Sequence, residues 1–452
     1  MRKTAVRIAV IGAGSAEFSA GIVRDLCVCE GLAGSHVILM DIDEKRLEMI
    51  NNLAEKIVRE LQASITFSQT TDRKEALRNA DFVINTVQIK AGELEGHEWV
   101  ELQRTIAENH GYYRGAKLHY ISQTHFMLEL AQDIKEICPK AWLIQSGNPV
   151  FEGCTLMHRV TGINVIGLCH GHYGYREIAE IIGLDPEEVT AQSIGFNHWI
   201  WMTDFRYKGK DAYPLLDKWI EEKAEAYWAD KTNERTYSDI QLSRAAVDQY
   251  KLFGLMPIGD APRQVGWWYH TDLETKQKWY GKTGGFDSEI GWQQYLDELT
   301  INLEKIETAA YDTNIRATDI FTPEQGDEQI VPIINAMTND IPGIFQVNIP
   351  NKGHLIEGFP EDLVVEVEAL VNGSGIHGIK MPALPVTVFA GAMIPRWREA
   401  EQVVGCMQYQ SYNLLLQFIM NDPRTNSKEQ AEAMLAEWLS SPYNTRLSDY
   451  FK

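Results

Sequence analysis

The sequence predicts an α/β protein. Its N-terminal part is expected to be a doubly wound parallel sheet of the Rossmann type, followed by a mixed α+β, mostly helical C-terminal lobe. Over residues 1–203, short apolar runs of strand length alternate with helical segments, and a Gly-Ala-Gly turn follows the first run. Beyond this part, helical patterns rich in Trp, Tyr, Glu and Lys dominate.

The elements follow from apolar spacing taken in chain order. Buried parallel strands are predicted at Val6–Ile11, Val37–Met40, Phe82–Ile84 and Trp142–Ile144, with a helix at Lys45–Leu61. The second lobe is expected to hold helices at Pro214–Trp228, Asp239–Phe253, Ile290–Ala310, Ile394–Met420 and Lys428–Leu439, and strands at Phe345–Asn348 and Leu363–Val367. We expect two domains, 1–203 and 204–452.

Composition and charge exclude several classes of partner. The 452-residue chain has a formal net charge of −21, which argues against nucleic acid or an anionic membrane surface as partner. No apolar run reaches the roughly 18 residues of a membrane span, so none is expected. The N-terminus lacks a signal-peptide pattern, and the six cysteines are sparse, which together predict a cytoplasmic protein with reduced thiols.

The end of the first strand has the pattern of a nucleotide-binding loop. Gly12-Ala-Gly14-Ser15 provides a tight turn at the start of a helix, although Glu17 replaces the third glycine of the full fingerprint. Asp41 ends the next strand, where a carboxylate binds ribose hydroxyls and disfavours a 2′-phosphate. The sequence therefore predicts NAD binding in residues 1–203, with Asn85 and Thr86 along the dinucleotide. A purely structural turn is the alternative.

Two later strand ends deliver a thiol and an imidazole. Cys169 follows the strand Ile163–Ile166, and His198 follows Gln192–Ile194. If these are consecutive strands of one parallel sheet, both side chains reach the same edge, where Asn148 also lies. Two ligands are too few for a structural zinc site and suit an open catalytic metal site. Taken singly, the thiol is compatible with a packed core residue.

Candidates for proton transfer are less distinctive. Asp260 and Arg263 lie in a short segment that contains Gly and Pro. They are either a general base and a group that binds a substrate oxygen, or a surface ion pair. Tyr250 is a base if a nearby cation lowers its pKa, and otherwise a core tyrosine. His170 and His172 are further candidates as ligands or acids.

Together these segments resemble glycoside hydrolase family 4, the NAD-dependent glycosidases. The resemblance extends along the whole chain, and its α-glucosidase and α-glucuronidase branch is the most similar. The matching segments are Ile11-Gly-Ala-Gly-Ser15, Asp41-Ile-Asp43, Asp81-Phe-Val-Ile-Asn85, Gly147-Asn-Pro149, Cys169-His-Gly-His-Tyr-Gly174, Gly195-Phe-Asn-His198, Pro257-Ile-Gly-Asp260, Asn348-Ile-Pro-Asn-Lys-Gly353 and Asp422-Pro-Arg-Thr425.

The resemblance implies a redox route to hydrolysis. Bound NAD transiently oxidises the sugar C3 hydroxyl, a base removes the C2 proton, the aglycone is eliminated, and water addition and reduction complete the cycle. A divalent metal, usually Mn²⁺, polarises the C2 and C3 oxygens. By the resemblance, Cys169 and His198 are metal ligands, Asn148 holds sugar hydroxyls and Asp260 is the base. Tyr250 stays a candidate because a tyrosine is the base in several relatives.

Two segments depart from the family pattern. His170 directly follows Cys169. At this position the phospho-α-glucosidases of the family look to have an Asp that acts as general acid. After the Tyr112–Gly115 segment, no Asp occurs before Asp133, and Lys117, His119 and His125 come instead. Together with Arg114, these residues favour an anionic sugar.

The expected activity is hydrolysis of α-glycosides of an unphosphorylated hexose, foremost as an α-glucosidase, by a homodimer or homotetramer. The alternatives are an α-glucuronidase, an α-galacturonidase or another acidic-sugar glycosidase, and an α-galactosidase. A lactate- or malate-type dehydrogenase is a more remote alternative, because the Gly-Glu-His-Gly-Asp catalytic segment of those enzymes does not occur in this sequence. A non-catalytic NAD-binding scaffold would not need Cys169, His198 and Asp260.

Overall fold

The computed structural model describes residues 3–115, 117–230 and 241–452. The first part of the chain contributes six strands: β1 (Arg7–Ile11), β2 (His36–Met40), β3 (Thr66–Thr70), β4 (Phe82–Asn85), β5 (Trp142–Gln145) and β6 (Asn164–Gly167). They alternate with α1 (Ser19–Val28), α2 (Glu44–Leu61), α3 (Arg73–Leu77), α4 (Gly96–Asn109), α5 (Leu118–Ile137) and α6 (Val150–Thr161).

These six strands form the parallel half of the sheet, in the order β3-β2-β1-β4-β5-β6. The central strands are apolar and buried because helices cover both sheet faces. At the start of α2, the Asp43 carboxylate accepts hydrogen bonds from the amides of Lys45 and Arg46, which caps the helix. The predicted doubly wound sheet is confirmed.

The rest of the chain adds seven strands: β7 (Val189–Phe196), β8 (Trp199–Tyr207), β9 (Lys210–Asp211), β10 (Met256–Ile258), β11 (Gly343–Pro350), β12 (Val364–Asn372) and β13 (Gly375–Gly378). Its helices are α7 (Gly174–Ile182), α8 (Tyr213–Glu222), α9 (Ala224–Ala229), α10 (Arg244–Phe253), α11 (Ala261–Gln264), α12 (Leu273–Tyr280), α13 (Glu289–Tyr311), α14 (Ala317–Ile320), α15 (Ile330–Asn339), α16 (Val386–Val388), α17 (Ile394–Gln408), α18 (Tyr412–Met420), α19 (Lys428–Ser440) and α20 (Thr445–Tyr450).

Most predicted elements of this part occur, with changed bounds. The helix expected from Asp239 begins at Arg244, and residues 239–240 lie outside the described residues. The helical segments expected over Pro214–Trp228 and Ile394–Met420 are each two helices: α8 and α9 in the first, α17 and α18 in the second. The segments Phe345–Asn348 and Leu363–Val367 lie in β11 and β12 as predicted, except that Leu363 precedes β12.

The antiparallel half extends the same sheet in the order β6-β11-β12-β7-β8-β10. The predicted arrangement of β6 and β7 in one parallel sheet is therefore wrong, since β11 and β12 lie between them and β7 pairs antiparallel with both of its neighbours. The join is a single row of partners: Gly167 of β6, Asn348 of β11, Glu366 of β12 and Gly195 of β7. The segments in the middle of this row are contributed from far along the chain.

The two halves share one core. The largest apolar cluster combines Ile84 of β4, Phe196 of β7 and Val347 of β11, all fully buried. The predicted boundary at residue 203 falls inside β8, so the division into two domains stays a prediction. Among the described helices, none is both long enough and apolar enough to cross a membrane.

Candidate active site

A cavity of about 1460 Å³ lies along the carboxyl edge of the parallel strands. The turn after β1 and the end of β4 line one part of it, and the β7–β8 hairpin and α11 line another. Clefts at this edge are where ligands bind in doubly wound sheets. Gly12, Gly14, Ser15, Asp41 and Thr86 all face this cavity, as do Asn148, His198 and Arg263.

The turn after β1 fits a dinucleotide. Gly12 has φ 87°, and a Cβ there would lie 2.8 Å from Val87 Cγ2, so only glycine is accommodated. The Gly14 amide donates to Asp41 Oδ2 at 2.8 Å, which places the carboxylate against the loop. The Thr86 hydroxyl donates to the Gly12 carbonyl at 2.9 Å and supports the turn from β4. Backbone can therefore approach a pyrophosphate, with a carboxylate nearby for ribose hydroxyls.

Asn85 has a different position from the one expected. Its side chain is fully buried and donates to Gln145 Oε1 at 2.8 Å, while its own Oδ1 accepts from the Val87 amide at 3.2 Å. It is not among the residues that line the cavity. Asn85 therefore braces the ends of β4 and β5, and the prediction that it lies along the dinucleotide is wrong because its hydrogen bonds turn it into the protein.

Cys169, His198 and Asp260 form a cluster whose ligand atoms all lie within 4.8 Å of one another. Cys169 follows β6, His198 occupies the β7–β8 turn, and Asp260 follows β10. The distance from His198 Nε2 to Asp260 Oδ2 is 3.0 Å. Thiolate and imidazole are donors for a divalent transition metal, and the Asp260 carboxylate lies beside them. Two protein ligands leave positions for substrate and water.

The electrostatics of the cluster suit a cation. Burial alone would lower the pKa of His198, but Asp260 and Cys169 raise it to about 10. Burial would raise the pKa of Asp260, yet Arg263 and His198 hold it well below its usual range. The carboxylate of Asp260 therefore favours positive charge at this position, which a divalent cation also supplies.

Cys169 and His198 do converge, but for a different reason from the one predicted. The antiparallel half extends beyond the carboxyl end of β6, so that the tip of the β7–β8 hairpin points back to this edge. His198 has φ 61° in the tight turn between β7 and β8. The hairpin tip, and not a parallel strand end, brings the imidazole to Cys169.

Asp260 also pairs with Arg263, as expected from their spacing. Arg263 Nε donates to Asp260 Oδ1 at 2.8 Å, and Nη1 donates to Asp287 Oδ2 at 3.1 Å. The guanidinium lines the cavity while it is held by two carboxylates. Arg263 therefore orients Asp260 as well as facing the space available to substrate.

Tyr250 lies away from the cavity, and its prediction as a base is wrong in position. Its hydroxyl donates to Asp217 Oδ1 at 2.7 Å, and its ring stacks on Tyr213 with centroids 5.7 Å apart. Burial, and next the bond to Asp217, raise the pKa of Tyr250 above its usual value. A phenol that donates to a carboxylate and does not line the cavity is not activated as a base.

The two histidines after Cys169 differ in environment. His170 Nδ1 lies 3.2 Å from Glu328 Oε1, and its side chain is 67% exposed. The hydrogen bond to Glu328 raises the pKa of His170 to about 9, despite partial burial. His172 Nδ1 contacts the Cys169 carbonyl at 3.1 Å, and burial lowers its pKa to about 4. Neither lines the cavity.

Cationic side chains line the cavity in several places: Arg104, Arg114, Lys117, Arg263, Lys276, Arg396, Arg398 and Arg424. Most of them are paired with carboxylates, such as Arg263 with Asp287, Lys117 with Glu399 and Arg424 with Asp422. These carboxylates balance much of the positive charge. Of the residues noted from sequence, Arg114, Lys117 and His119 lie here, while His125 packs on Tyr450 instead.

Comparison with known proteins agrees with this geometry. The model of family 4 glycosyl hydrolase matches residues 7–184, and the model of its C-terminal domain matches residues 193–425. The chain belongs to glycosyl hydrolase family 4. It is thus a glycosidase by family, and the predicted membership is confirmed.

Among its family 4 relatives, an alpha-glucosidase of Erwinia rhapontici is 29% identical over 402 residues, covering 84% of this chain and 86% of the relative. An alpha-galacturonidase of Thermoanaerobacterium saccharolyticum is 25% identical over 467 residues, covering 96% and 95%. The structure of the 6-phospho-beta glucosidase from Thermotoga maritima with manganese, NAD+ and glucose-6-phosphate aligns with a TM-score of 0.73. That structure is 20% identical, covers 98% of this chain and 99% of its own, and shows the shared family 4 fold.

Sequence reasoning missed several residues of the site. Asp287 follows a Gly-Gly-Phe turn with no chemical signature, and only the fold brings it to Arg263. Glu366 is 1% exposed within the join of the two sheet halves. The acidic residue inside the apolar run Val364-Val-Glu-Val367 is a signal from which Glu366 could have been identified. A carboxylate is almost never fully buried unless it is paired.

Proposed function

We propose that this chain hydrolyses α-glycosides of an unphosphorylated hexose, α-glucosides first, with bound NAD and a divalent metal such as Mn²⁺. The observation that supports this most is the single cavity that joins the Gly12–Ser15 turn to His198 of the metal cluster. The named relatives include an alpha-glucosidase, and a family 4 structure contains both manganese and NAD+.

The residues present fit both groups. The glycine turn and Asp41 would hold the dinucleotide, and Cys169 and His198 would hold the metal, with Asp260 beside them. When bound, these groups supply reversible hydride transfer at the sugar C3 and polarisation of the C2 and C3 oxygens.

The chain's own side chains would then carry out the remaining steps. Asn148, which shares a recess with His198, would hold sugar hydroxyls. Asp260, whose carboxylate is held by Arg263, would accept the C2 proton. His170, whose Nδ1 lies 3.2 Å from Glu328 Oε1, would be the candidate acid for the leaving group, and its ring lies outside the cavity.

An acidic hexose is a second candidate substrate, favoured by the cationic side chains that line the cavity. A sugar carboxylate placed among guanidinium groups forms charge-assisted hydrogen bonds that a neutral sugar lacks. The relationship to alpha-galacturonidases that match nearly the whole chain supports the same candidate.

One assay tests the function and separates the substrates. The protein is incubated with p-nitrophenyl α-glucoside, α-galactoside, α-glucuronide or α-galacturonide, together with NAD, Mn²⁺ and a reductant that protects Cys169. We expect nitrophenol release without net NADH. Stoichiometric NADH and no need for metal would instead indicate a simple dehydrogenase. A homodimeric or homotetrameric assembly and a cytoplasmic location stay predictions, the first measurable by sedimentation.

A further inference from the structure

The buried carboxylate of Glu366 lies between the segment that carries Cys169 and the segment that carries His198. Glu366 lies on β12 in the row Gly167, Asn348, Glu366, Gly195, where the two sheet halves meet. Only 1% of its surface is exposed. Gly167 precedes Cys169 by two residues, and Gly195 precedes His198 by three, so each end of this row leads into a ligand loop.

The hydrogen bonds of Glu366 run toward both ligand loops. Asn348 Nδ2 donates to Glu366 Oε2 at 3.0 Å and to the Gly167 carbonyl at 3.4 Å. Asn197 Nδ2, in the hairpin turn beside His198, donates to the same Oε2 at 3.3 Å. One carboxylate oxygen therefore connects the end of β6 with the tip of the β7–β8 hairpin.

The hairpin needs such an anchor. His198 has φ 61°, a backbone conformation that side chains other than glycine rarely adopt. At Gly195, a Cβ would lie 2.1 Å from the Trp199 carbonyl, so the hairpin is also tightly closed there. The β7–β12 pairing reaches this end through a single residue pair. Side-chain hydrogen bonds therefore provide the further attachment of the hairpin tip to β12.

We propose that Glu366 is a positioning residue for the metal site. Through Asn197 and Asn348 it holds the His198 turn against the loop of Cys169, so that imidazole and thiolate stay at a distance that one cation can bridge. Ligand positions must be held to within about 0.5 Å for such a site, which requires this kind of support. The inference rests on the proposed function, because it assumes that a divalent metal binds to Cys169 and His198.

The same strand offers a matched control. Glu368 lies two residues further along β12, on the same face, and its Oε2 accepts from Gln192 Nε2 of β7 at 2.8 Å. It thus also links β12 to β7 through a side-chain hydrogen bond, but its partner lies on the body of β7 and not at the hairpin tip. If Glu366 merely fastened the strands, Glu368 would have the same effect.

The test measures Mn²⁺ binding to the full-length protein by the electron paramagnetic resonance signal of free Mn²⁺, and NAD binding by protein fluorescence. For Glu366→Ala we expect Mn²⁺ affinity to fall by about 10-fold or more, the range for residues that orient metal ligands. Glu366→Gln keeps an acceptor oxygen and should stay within about threefold of wild type, as should Glu368→Ala. NAD affinity should be unchanged in all three.

Several results would overturn the inference. Equal Mn²⁺ affinity in Glu366→Ala and wild type would do so, as would an equal loss in Glu368→Ala or a parallel loss of NAD affinity. A loss in Glu366→Gln as large as in Glu366→Ala would assign the effect to charge and not to positioning. If the wild-type protein itself bound no Mn²⁺, the proposed function would fail instead.

A second set of variants covers the case in which Glu366→Ala does not fold. Asn197→Ala and Asn348→Ala each remove one donor to the carboxylate and leave Glu366 in place. Each should weaken Mn²⁺ binding, and the double variant should lose less than the product of the two, because both act through one oxygen. Independent, multiplicative effects, or none, would contradict the shared role of Glu366.

Discussion

The parallel and antiparallel halves of the sheet contribute to the site in different ways. The parallel half is built from β1–β6, which alternate with helices along the chain, and it supplies the dinucleotide turn, Asn148 and Cys169. The antiparallel half places β11 and β12 between β6 and β7 and supplies His198 and Asp260. The comparison shows that cofactor binding depends on local structure, whereas the metal cluster depends on pairing between distant segments.

Replacing a ligand at the join should separate the two halves most clearly. Cys169→Ser should lower metal-dependent turnover by about 10³-fold or more, because several kcal/mol of Lewis-acid stabilisation are lost. NAD binding, measured by fluorescence, should stay near that of wild type, since the turn after β1 is untouched. Joint loss of NAD binding and of the cooperative unfolding transition would instead show a structural role for Cys169.

Asp260→Asn comes next in size and tests the role of Asp260 in the antiparallel half. As the base, it should contribute about 10²–10⁴-fold to turnover, and hydrogen exchange at the sugar C2 in D₂O should disappear. Mn²⁺ affinity should change little in that case. A large fall in Mn²⁺ affinity would show that Asp260 is mainly a third metal ligand.

A substitution confined to the parallel half should have a moderate effect. Asp41→Asn removes the charge of the carboxylate that faces the dinucleotide turn, and a charge-assisted hydrogen bond to ribose contributes about 1.5–3 kcal/mol. We expect NAD affinity to fall by roughly 10- to 100-fold. Mn²⁺ affinity should be unaffected, and a matching loss of Mn²⁺ binding would contradict the independence of the two halves.

The smallest expected effect concerns substrate charge. Arg398 is exposed and is one of the cationic side chains that line the cavity. Arg398→Gln should lower kcat/KM for an α-galacturonide by about threefold, the size of an exposed ion pair, and leave an α-glucoside unchanged. High salt should reduce the difference. An equal change for both substrates would show that Arg398 does not recognise a sugar carboxylate.

The fold of the parallel half could be predicted because its strands and helices alternate along the chain with clear apolar spacing. Gly12, Gly14, Ser15, Asp41 and Thr86 all line the cavity, because the turn and the strand ends determine their positions locally. In the other half, the strands at β11 and β12 were found, but not their insertion between β6 and β7. Periodicity identifies an element and does not identify its partner across hundreds of residues.

The candidate site shows the same division. Cys169 and His198 were paired correctly for a wrong reason, and Asp260 was found but its contact with His198 was not. Tyr250 was misplaced, because a helical spacing does not show whether α10 borders the cavity, and none of the residues of this helix lines it. Asn85 was misplaced because a polar residue at a strand end can bond inward as easily as outward.

The row that joins the sheet halves has a consequence for the order of folding. Asn348 and Glu366 are synthesised long after Cys169 and His198, and β7 cannot enter the sheet until β11 and β12 have paired with each other and with β6. Domains fold from the N-terminus during synthesis, and long-range pairings form slowly. The dinucleotide turn can therefore form on a nascent chain, whereas the cluster of Cys169, His198 and Asp260 is completed late. The site is complete only after β11, β12 and β7 have joined the sheet.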